Sequence, residues 1–147
     1  MPSFKLSTDQ TVKRLRWLML AVILFDNLNT LFGQSSGYWQ HPETVQEGNR
    51  LTHIFISRGW VPFCLYEVVY MAVAFFLASL PLRRVALVVS MSFILGHYYG
   101  ASTWLAHRWQ LGTTGTVIYG ILLAVVFVGL AFPSQRRGEA QARGGHV

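Results

Sequence analysis

The stretch LRWLMLAVILFDNLNTLFG, residues 15–33, joins an apolar run long enough to enter a bilayer to a second half that carries polar side chains. Those side chains belong to Asp26, Asn27, Asn29 and Thr30. A carboxylate at the centre of a membrane helix costs about 2.5–3.5 kcal/mol. A cost of that size is rarely left without a partner, so we expect polar groups at similar depth on other apolar segments of the chain.

The composition is that of a membrane protein. Of the 147 residues, 52% are hydrophobic and only 12% are charged, whereas a soluble domain has about 25% charged residues. The formal net charge of +6 could indicate nucleic-acid binding. The basic residues, however, lie in short clusters at the ends of apolar runs, which is typical of membrane proteins. The lipid bilayer is therefore the expected partner, and nucleic acid is not.

Four segments are long and apolar enough to span a membrane as helices, which need about 20 such residues. They are residues 15–33, 60–80, 85–105 and 116–132. The sequence therefore predicts an all-α fold, an integral membrane four-helix bundle over residues 1–133. We expect residues 1–13 to form a short polar tail and residues 134–147 a disordered basic tail.

The distribution of Lys and Arg predicts the orientation. With the N-terminus inside, nine of the 12 basic residues lie on the inner side and three on the outer side. The outer three are Arg50, Arg58 and Arg108. The positive-inside rule then puts both termini in the cytoplasm, and we expect the membrane to be a prokaryotic inner (cytoplasmic) membrane.

The long connection at residues 34–58 would face outside. Pro42 suits the first turn of a helix, and an apolar stripe is possible over the residues that follow, namely Val45, Leu51, Ile54 and Phe55. We therefore expect a short amphipathic helix lying in the interface or capping the bundle. Glu47 and Asn49 are expected to be solvated surface residues.

Three candidate site residues lie at similar depth on three different spans. At 1.5 Å per residue, Asp26 and Glu67 would lie about 12 Å below the outer boundary and His97 about 16 Å below it. Asn29 and Thr30 share a helical face with Asp26. The further candidate ligand-binding residues are Tyr70, Trp104 and Tyr119. Asp26, Glu67 and His97 are thus the candidate catalytic group.

Buried carboxyl groups and histidine titrate in ranges that suit proton exchange. The trio therefore predicts binding of a small lipophilic or cationic molecule, or proton transfer to it. Whether the protein is an enzyme is left open. One alternative is a purely structural polar network. Another is an accessory or assembly subunit of a larger membrane complex, and a third is a channel or transporter. The expected protein partners are other copies of the chain or a larger membrane complex. No HxxxH or ExxH pair occurs on any span, so neither a metal nor another cofactor is expected.

Two resemblances accompany this interpretation. The first is carried by Asp26-x-x-x-Thr30, Gly37, Glu47-x-Asn49 and Gly59. These residues resemble a family of small prokaryotic polytopic membrane proteins of unknown function. Members of that family have Asp-x-x-x-Thr in the first helix and Glu-x-Asn-Pro in the following connection. Here Arg50 stands at the proline position, and Glu67 stands where a lysine is usual.

The second resemblance is carried by Phe63-Cys64-Leu65-Tyr66-Glu67 and by His97. These residues are similar to the EXPERA group of four- and five-span proteins, which includes sterol isomerases and a sterol-binding receptor. Its members place an acid in the first helix, a glutamate in the second and a histidine in the third. The resemblance implies a lipid-accessible pocket with acids inside. The resemblance does not imply isomerase activity, because this sequence has four predicted spans rather than five.

Overall fold

Five α-helices follow one another along residues 8–131, the part of the chain that the computed structural model describes. They are α1 (Thr8–Phe32), α2 (Arg50–Ile56), α3 (Trp60–Leu77), α4 (Arg83–Thr103) and α5 (Gly112–Ala131). Short 3-10 turns at Ser36–Trp39 and Pro42–Thr44 precede α2, and a π-helical turn at Trp104–Arg108 extends α4. All except α2 are long and apolar enough to cross a membrane. The predictions of an all-α chain and of four such helices are confirmed.

The helix ends differ from the predicted bounds. Helix α1 begins at Thr8, so residues 8–13, expected in a polar tail, are helical. Helix α3 ends at Leu77, and α5 begins at Gly112 rather than at residue 116. At the start of α1 and of α5, backbone hydrogen bonding extends beyond the apolar run that hydropathy marks. Helix α3 instead stops short of residue 80, because residues 78–80 form a turn. The predicted tail at residues 134–147 lies outside the described residues.

Helix α1 is the central element, because it contacts α3, α4 and α5. The side chains buried at this junction are Leu15, Leu18, Met19, Val22 and Ile23 of α1, Ala74 of α3, Ala78 just after it, and Ile94 of α4. Small residues such as these alanines let helix backbones approach closely, which favours van der Waals packing in a bilayer. This apolar core fills the half of the bundle remote from the 34–58 connection and leaves the other half to the polar residues.

The connection at residues 34–58, called the outer connection after its predicted side, contains a helix, but a shorter one than predicted, and it starts later. Pro42 opens only a single 3-10 turn. Helix α2 starts after Asn49, whose side chain caps it by accepting hydrogen bonds from the N–H groups of Leu51 and Thr52 at 3.0 and 3.4 Å. Asparagine at this position satisfies N–H groups that have no partner within the helix. The seven residues of α2 and three more then bring the chain to α3, which begins at Trp60.

The expected apolar stripe is only partly buried. Val45 packs against the cluster of Tyr38, Ile56 and Phe63, and Phe55 stacks on Tyr66, whereas Leu51 and Ile54 are 52% and 46% exposed. Ile56, which was not part of the stripe, is the fully buried residue of the helix. Gly59 turns the chain directly into α3. Its φ of 112° is a backbone conformation that residues other than glycine rarely adopt.

Candidate functional site

A cavity of about 690 Å³ lies between α1, α3 and α4 in the half of the bundle next to the outer connection. Residues 47–49 and the first turn of α2 cover its outer end. Asp26, Glu67 and His97, predicted from three different spans, all line it. Neither Lys nor Arg occurs among the described residues that line this cavity, so its charged groups are three carboxylates and one imidazole.

Asp26, His97 and Tyr70 form a hydrogen-bonded chain across the three helices. The Nδ1 atom of His97 is 2.8 Å from Oδ2 of Asp26, and its Nε2 atom is 2.9 Å from the hydroxyl of Tyr70. With Nδ1–H donating to the carboxylate, a neutral imidazole accepts the tyrosine O–H at Nε2. Both side chains of the Asp26–His97 pair are largely buried, at 13% and 15% exposed. The imidazole thus lies between an acid and a hydroxyl, an arrangement that can hold or pass a proton.

Glu67 belongs to a second, separate pair. Its Oε2 atom accepts a hydrogen bond from the side-chain amide of Asn27 at 2.6 Å, and Glu67 is only 6% exposed. Asn27 follows Asp26 in α1, so two successive residues of this helix bond to Glu67 and to His97. The three predicted residues therefore share a cavity without forming a single hydrogen-bonded chain.

Gly100 makes the close approach of α1 and α4 possible. A Cβ atom at this position would lie 2.6 Å from Oδ2 and 2.8 Å from Oδ1 of Asp26. The Oδ1 atom is buried and has no hydrogen-bond partner among the described residues. A buried acceptor without a partner costs about 1–3 kcal/mol, so the carboxylate of Asp26 retains capacity for a further donor.

Gln34 holds the outer connection next to the cavity through hydrogen bonds to Gln46. This buried side chain accepts a hydrogen bond from the N–H of Gln46 at 2.9 Å and donates to the carbonyls of Thr30 and Gln46 at 2.9 and 3.3 Å. Gln46 is thereby held at the end of α1. Glu47, the next residue, is half-buried and lines the cavity, so the expectation that it is solvated surface is wrong. Asn49 also lines the cavity but is exposed.

Burial raises the pKa of Glu47 above its ordinary value, and the negative charge of Asp26 adds to this increase. The N–H of Asn49, which donates to Glu47 Oε1 at 2.7 Å, opposes it. Glu47 therefore holds its proton to a higher pH than an exposed glutamate does.

The further candidate residues divide into two groups. Thr30, Tyr70 and Trp104 line the cavity. Asn29 instead accepts a hydrogen bond from the indole of Trp109 at 3.1 Å and donates to the Phe25 carbonyl.

Tyr119 also lies outside the cavity, with its ring 5.0 Å from that of Phe25 and 5.2 Å from that of Tyr98. At about 100° per residue, Asn27 and Thr30 lie on one side of Asp26 and Asn29 lies on the other. The helical periodicity predicts that Asn29 and Thr30 share a face with Asp26. It does not predict which side of that face borders the cavity.

Sequence reasoning missed several cavity residues. Asn27 was noted only as a polar residue of the first span, and Tyr66 and Tyr99 were not singled out as site residues. The adjacency of Asn27 to Asp26 was a usable signal, because two polar residues in succession cover a wide arc of a helix. No local signal marks Gln34, whose role depends on a residue 12 positions away.

Of the residues that carry the first resemblance, Asp26, Thr30, Glu47 and Asn49 line the cavity, whereas Gly37 and Gly59 do not. No protein-family model matches the chain, and neither a curated protein nor a solved structure matches it. Within residues 8–131, no three His, Cys, Asp or Glu side chains are grouped so as to hold a metal ion. What the cavity can do must therefore be argued from its own groups.

Proposed function

We propose that the cavity is an intramembrane site that binds a small lipophilic or cationic molecule and exchanges a proton with it. The observation that carries this proposal is that Asp26, Glu67 and His97, from three helices, line one cavity of about 690 Å³. Ligand pockets are typically about 300–1,000 Å³ in volume. A purely structural polar network requires its members to be paired, but it does not require empty space beside them.

Lateral access supports a ligand that arrives from the bilayer. Ser92, Gly96 and Tyr99 of α4 line the cavity and are exposed. They lie at intervals of three and four residues, so they form one edge of the helix. An opening along this edge would admit an apolar molecule without passage through the covered outer end.

The proton would move through the chain formed by Asp26, His97 and Tyr70. The imidazole is within hydrogen-bond distance of both other groups, and histidine changes charge near neutral pH. Glu67, held by Asn27, is a second acid in the same cavity. In this proposal the tyrosine or Glu67 meets the bound molecule, and Asp26 orients the imidazole.

The test is to fill the cavity from its open edge. A Cβ atom at Gly96 meets no other atom within 4 Å, so Gly96→Leu should fold while its side chain occupies the opening. We expect the variant to retain about one tenth or less of the small molecule that co-purifies with the wild-type protein. A tenfold weaker affinity corresponds to about 1.4 kcal/mol of binding free energy. Organic extraction of the purified protein followed by mass spectrometry measures that amount.

Gly129→Leu is the matched control. Gly129 lies on α5 away from the cavity, and a Cβ there also meets nothing within 4 Å. This variant should retain the co-purifying molecule. Equal retention by the two variants would contradict the proposal, and so would wild-type protein that carries no such molecule while Glu67→Gln and Asp26→Asn leave the cellular phenotype unchanged.

The alternative of an accessory subunit draws support from α5, whose membrane-spanning part buries no residue in the described structure. Such a helix has a long apolar face available for lipid or for a partner. A stoichiometric larger protein in the same mild-detergent preparation would favour this alternative. We further propose that both termini face the cytoplasm of a prokaryotic inner membrane, because the basic residues are concentrated on that side.

A further inference from the structure

We infer that the cavity takes an amphiphilic amine, bound in its protonated form, with a single apolar tail. A quaternary ammonium of the same shape carries the same charge without a proton to exchange, so it probes binding alone. This inference rests on the proposed function, because it names the ligand class of the same site. It is carried by the charges, the aromatic rings and the shape of the cavity.

Two of the three carboxylates have no cationic partner. Asp26 pairs with His97, but Glu67 receives an amide N–H from Asn27, and Glu47 receives the backbone N–H of Asn49. Within residues 8–131, neither Lys nor Arg lies at ion-pair distance from Glu47 or Glu67. A buried carboxyl group without a cation tends to keep its proton, and an arriving cation favours its ionised form, so these two acids can pair with a cationic head. An anionic head would find neither Lys nor Arg in the described lining to pair with.

Aromatic rings line the same space. They belong to Tyr66, Tyr70, Phe93, Tyr99 and Trp104. The ring of Tyr66 lies on that of Phe55, with centroids 4.4 Å apart, and the ring of Tyr70 meets that of Phe93 edge-on. The faces of aromatic rings attract ammonium groups, and the attraction is larger where water is excluded. Carboxylates together with aromatic rings therefore favour an organic cation over a metal ion.

The shape of the cavity indicates where the tail lies. The lining runs along α4 from Trp104 to Ser92, twelve residues, or about 18 Å of helix. Glu47 lies at the covered outer end of the cavity, whereas the open edge continues inward past Gly96 to Ser92. The head would lie under the outer connection among the acids, and the tail would leave along the open edge into lipid.

The experiment titrates the purified wild-type protein in neutral detergent with dodecyltrimethylammonium and counts bound molecules by native mass spectrometry. Competitors with the same tail are dodecanol, which is neutral, and dodecylphosphocholine, which adds a phosphate. Tetramethylammonium supplies the head without the tail. We expect saturable binding of one dodecyltrimethylammonium per chain and weaker competition from each of the other three compounds.

Glu67→Gln and Glu47→Gln should each weaken binding of the cation by roughly tenfold, the effect of losing one close charge partner. Glu43→Gln is the matched control, because Glu43 lies in the same connection but is exposed and does not line the cavity. It should bind as wild type does. If Glu67→Gln does not fold, Glu47→Gln carries the test, since its side chain lies outside the membrane helices.

Equal competition by dodecanol or by dodecylphosphocholine would overturn the inference of a cationic ligand. So would unchanged binding in both glutamine variants. If dodecanol binds as well as the cation, and Gly96→Leu removes both, the proposed function stands while this inference fails. If no probe binds, the inference fails as well. The proposed function then depends on whether Gly96→Leu, but not Gly129→Leu, loses a co-purified molecule.

Discussion

The fold raises the pKa of Glu47, an acidic residue that lies outside the membrane helices. Its carboxylate is half-buried at the covered end of the cavity and accepts the N–H of Asn49. Burial raises its pKa above 4.5, and Asp26 contributes to the increase, while Asn49 and His53 oppose it. Glu47 shares the cavity with Glu67 and His97.

The stability of the protein should reflect this shift. In the unfolded chain Glu47 releases its proton near its ordinary pKa, whereas in the folded chain it releases the proton at a higher pH. Its contribution to stability is therefore complete below about pH 4.5 and is lost as the pH rises through the folded pKa. Glu47→Gln, which cannot ionise, should show a smaller loss of thermal stability over that range. Tryptophan fluorescence during heating in neutral detergent measures it.

Glu43→Gln provides the comparison for this prediction. The Glu43 side chain is 69% exposed and lies 3.2 Å from that of His41, which is also exposed. Its removal should leave the pH dependence of wild type almost unchanged above pH 4.5, since exposed ion pairs contribute little. Identical slopes for the two glutamine variants would show that Glu47 is not controlled by its burial.

At the level of the elements, the pairing of α1 with α4 decides whether the polar residues meet. Gly100 lets the two helices approach until the carboxylate of Asp26 lies against the backbone of α4. The same approach brings Asp26 within 2.8 Å of His97, one turn earlier in α4. The interface therefore depends on a missing side chain as much as on the hydrogen bond.

Gly100→Ala should break this arrangement. The added Cβ would lie 2.6 Å from Oδ2 of Asp26, too close for any real contact. Either the carboxylate or the helix must shift, which typically costs about 1–3 kcal/mol in a packed interface. We expect lower thermal stability in detergent and loss of the Asp26–His97 hydrogen bond, detectable as a changed ring-nitrogen resonance of His97 by NMR.

Gly96→Ala separates this effect from helix propensity. It lies four residues earlier on the same helix, and its Cβ would meet nothing within 4 Å. Alanine is favoured over glycine in helices by about 0.5–1 kcal/mol, so this variant should be as stable as wild type or slightly more so. If both alanine variants behaved alike, the close contact at Gly100 would not matter to the fold.

At the scale of the whole molecule, four long apolar helices identify an integral membrane protein, and the basic residues suggest its orientation. The proposed arrangement puts residues 34–58 outside and residues 78–82 inside. In a Cys64→Ser background, Ser36→Cys should react with an impermeant maleimide on intact cells. Pro81→Cys should react only after the cells are lysed. Labelling of Pro81→Cys on intact cells would reverse the orientation.

The fold was largely predictable because membrane helices are local features. Length and hydropathy are sufficient to find the four helices, and a fixed rise per residue gives Asp26, Glu67 and His97 similar depths. The outer connection was not predictable to the same extent. The inward position of Glu47 depends on hydrogen bonds between Gln34 and Gln46, which no periodicity of the sequence encodes.

The sequence by itself determined that the chain is helical, that four helices can cross a bilayer, and that an acid, a second acid and a histidine lie at comparable depth. Only the tertiary structure decided that Asn27 rather than Asn29 serves the cavity, that Tyr70 completes the chain with His97, and that Glu47 closes the outer end. The physical reason is the rotation of each helix about its own axis. That rotation is set by packing between side chains distant in sequence, such as Gly100 against Asp26, and not by the hydropathy of any single segment.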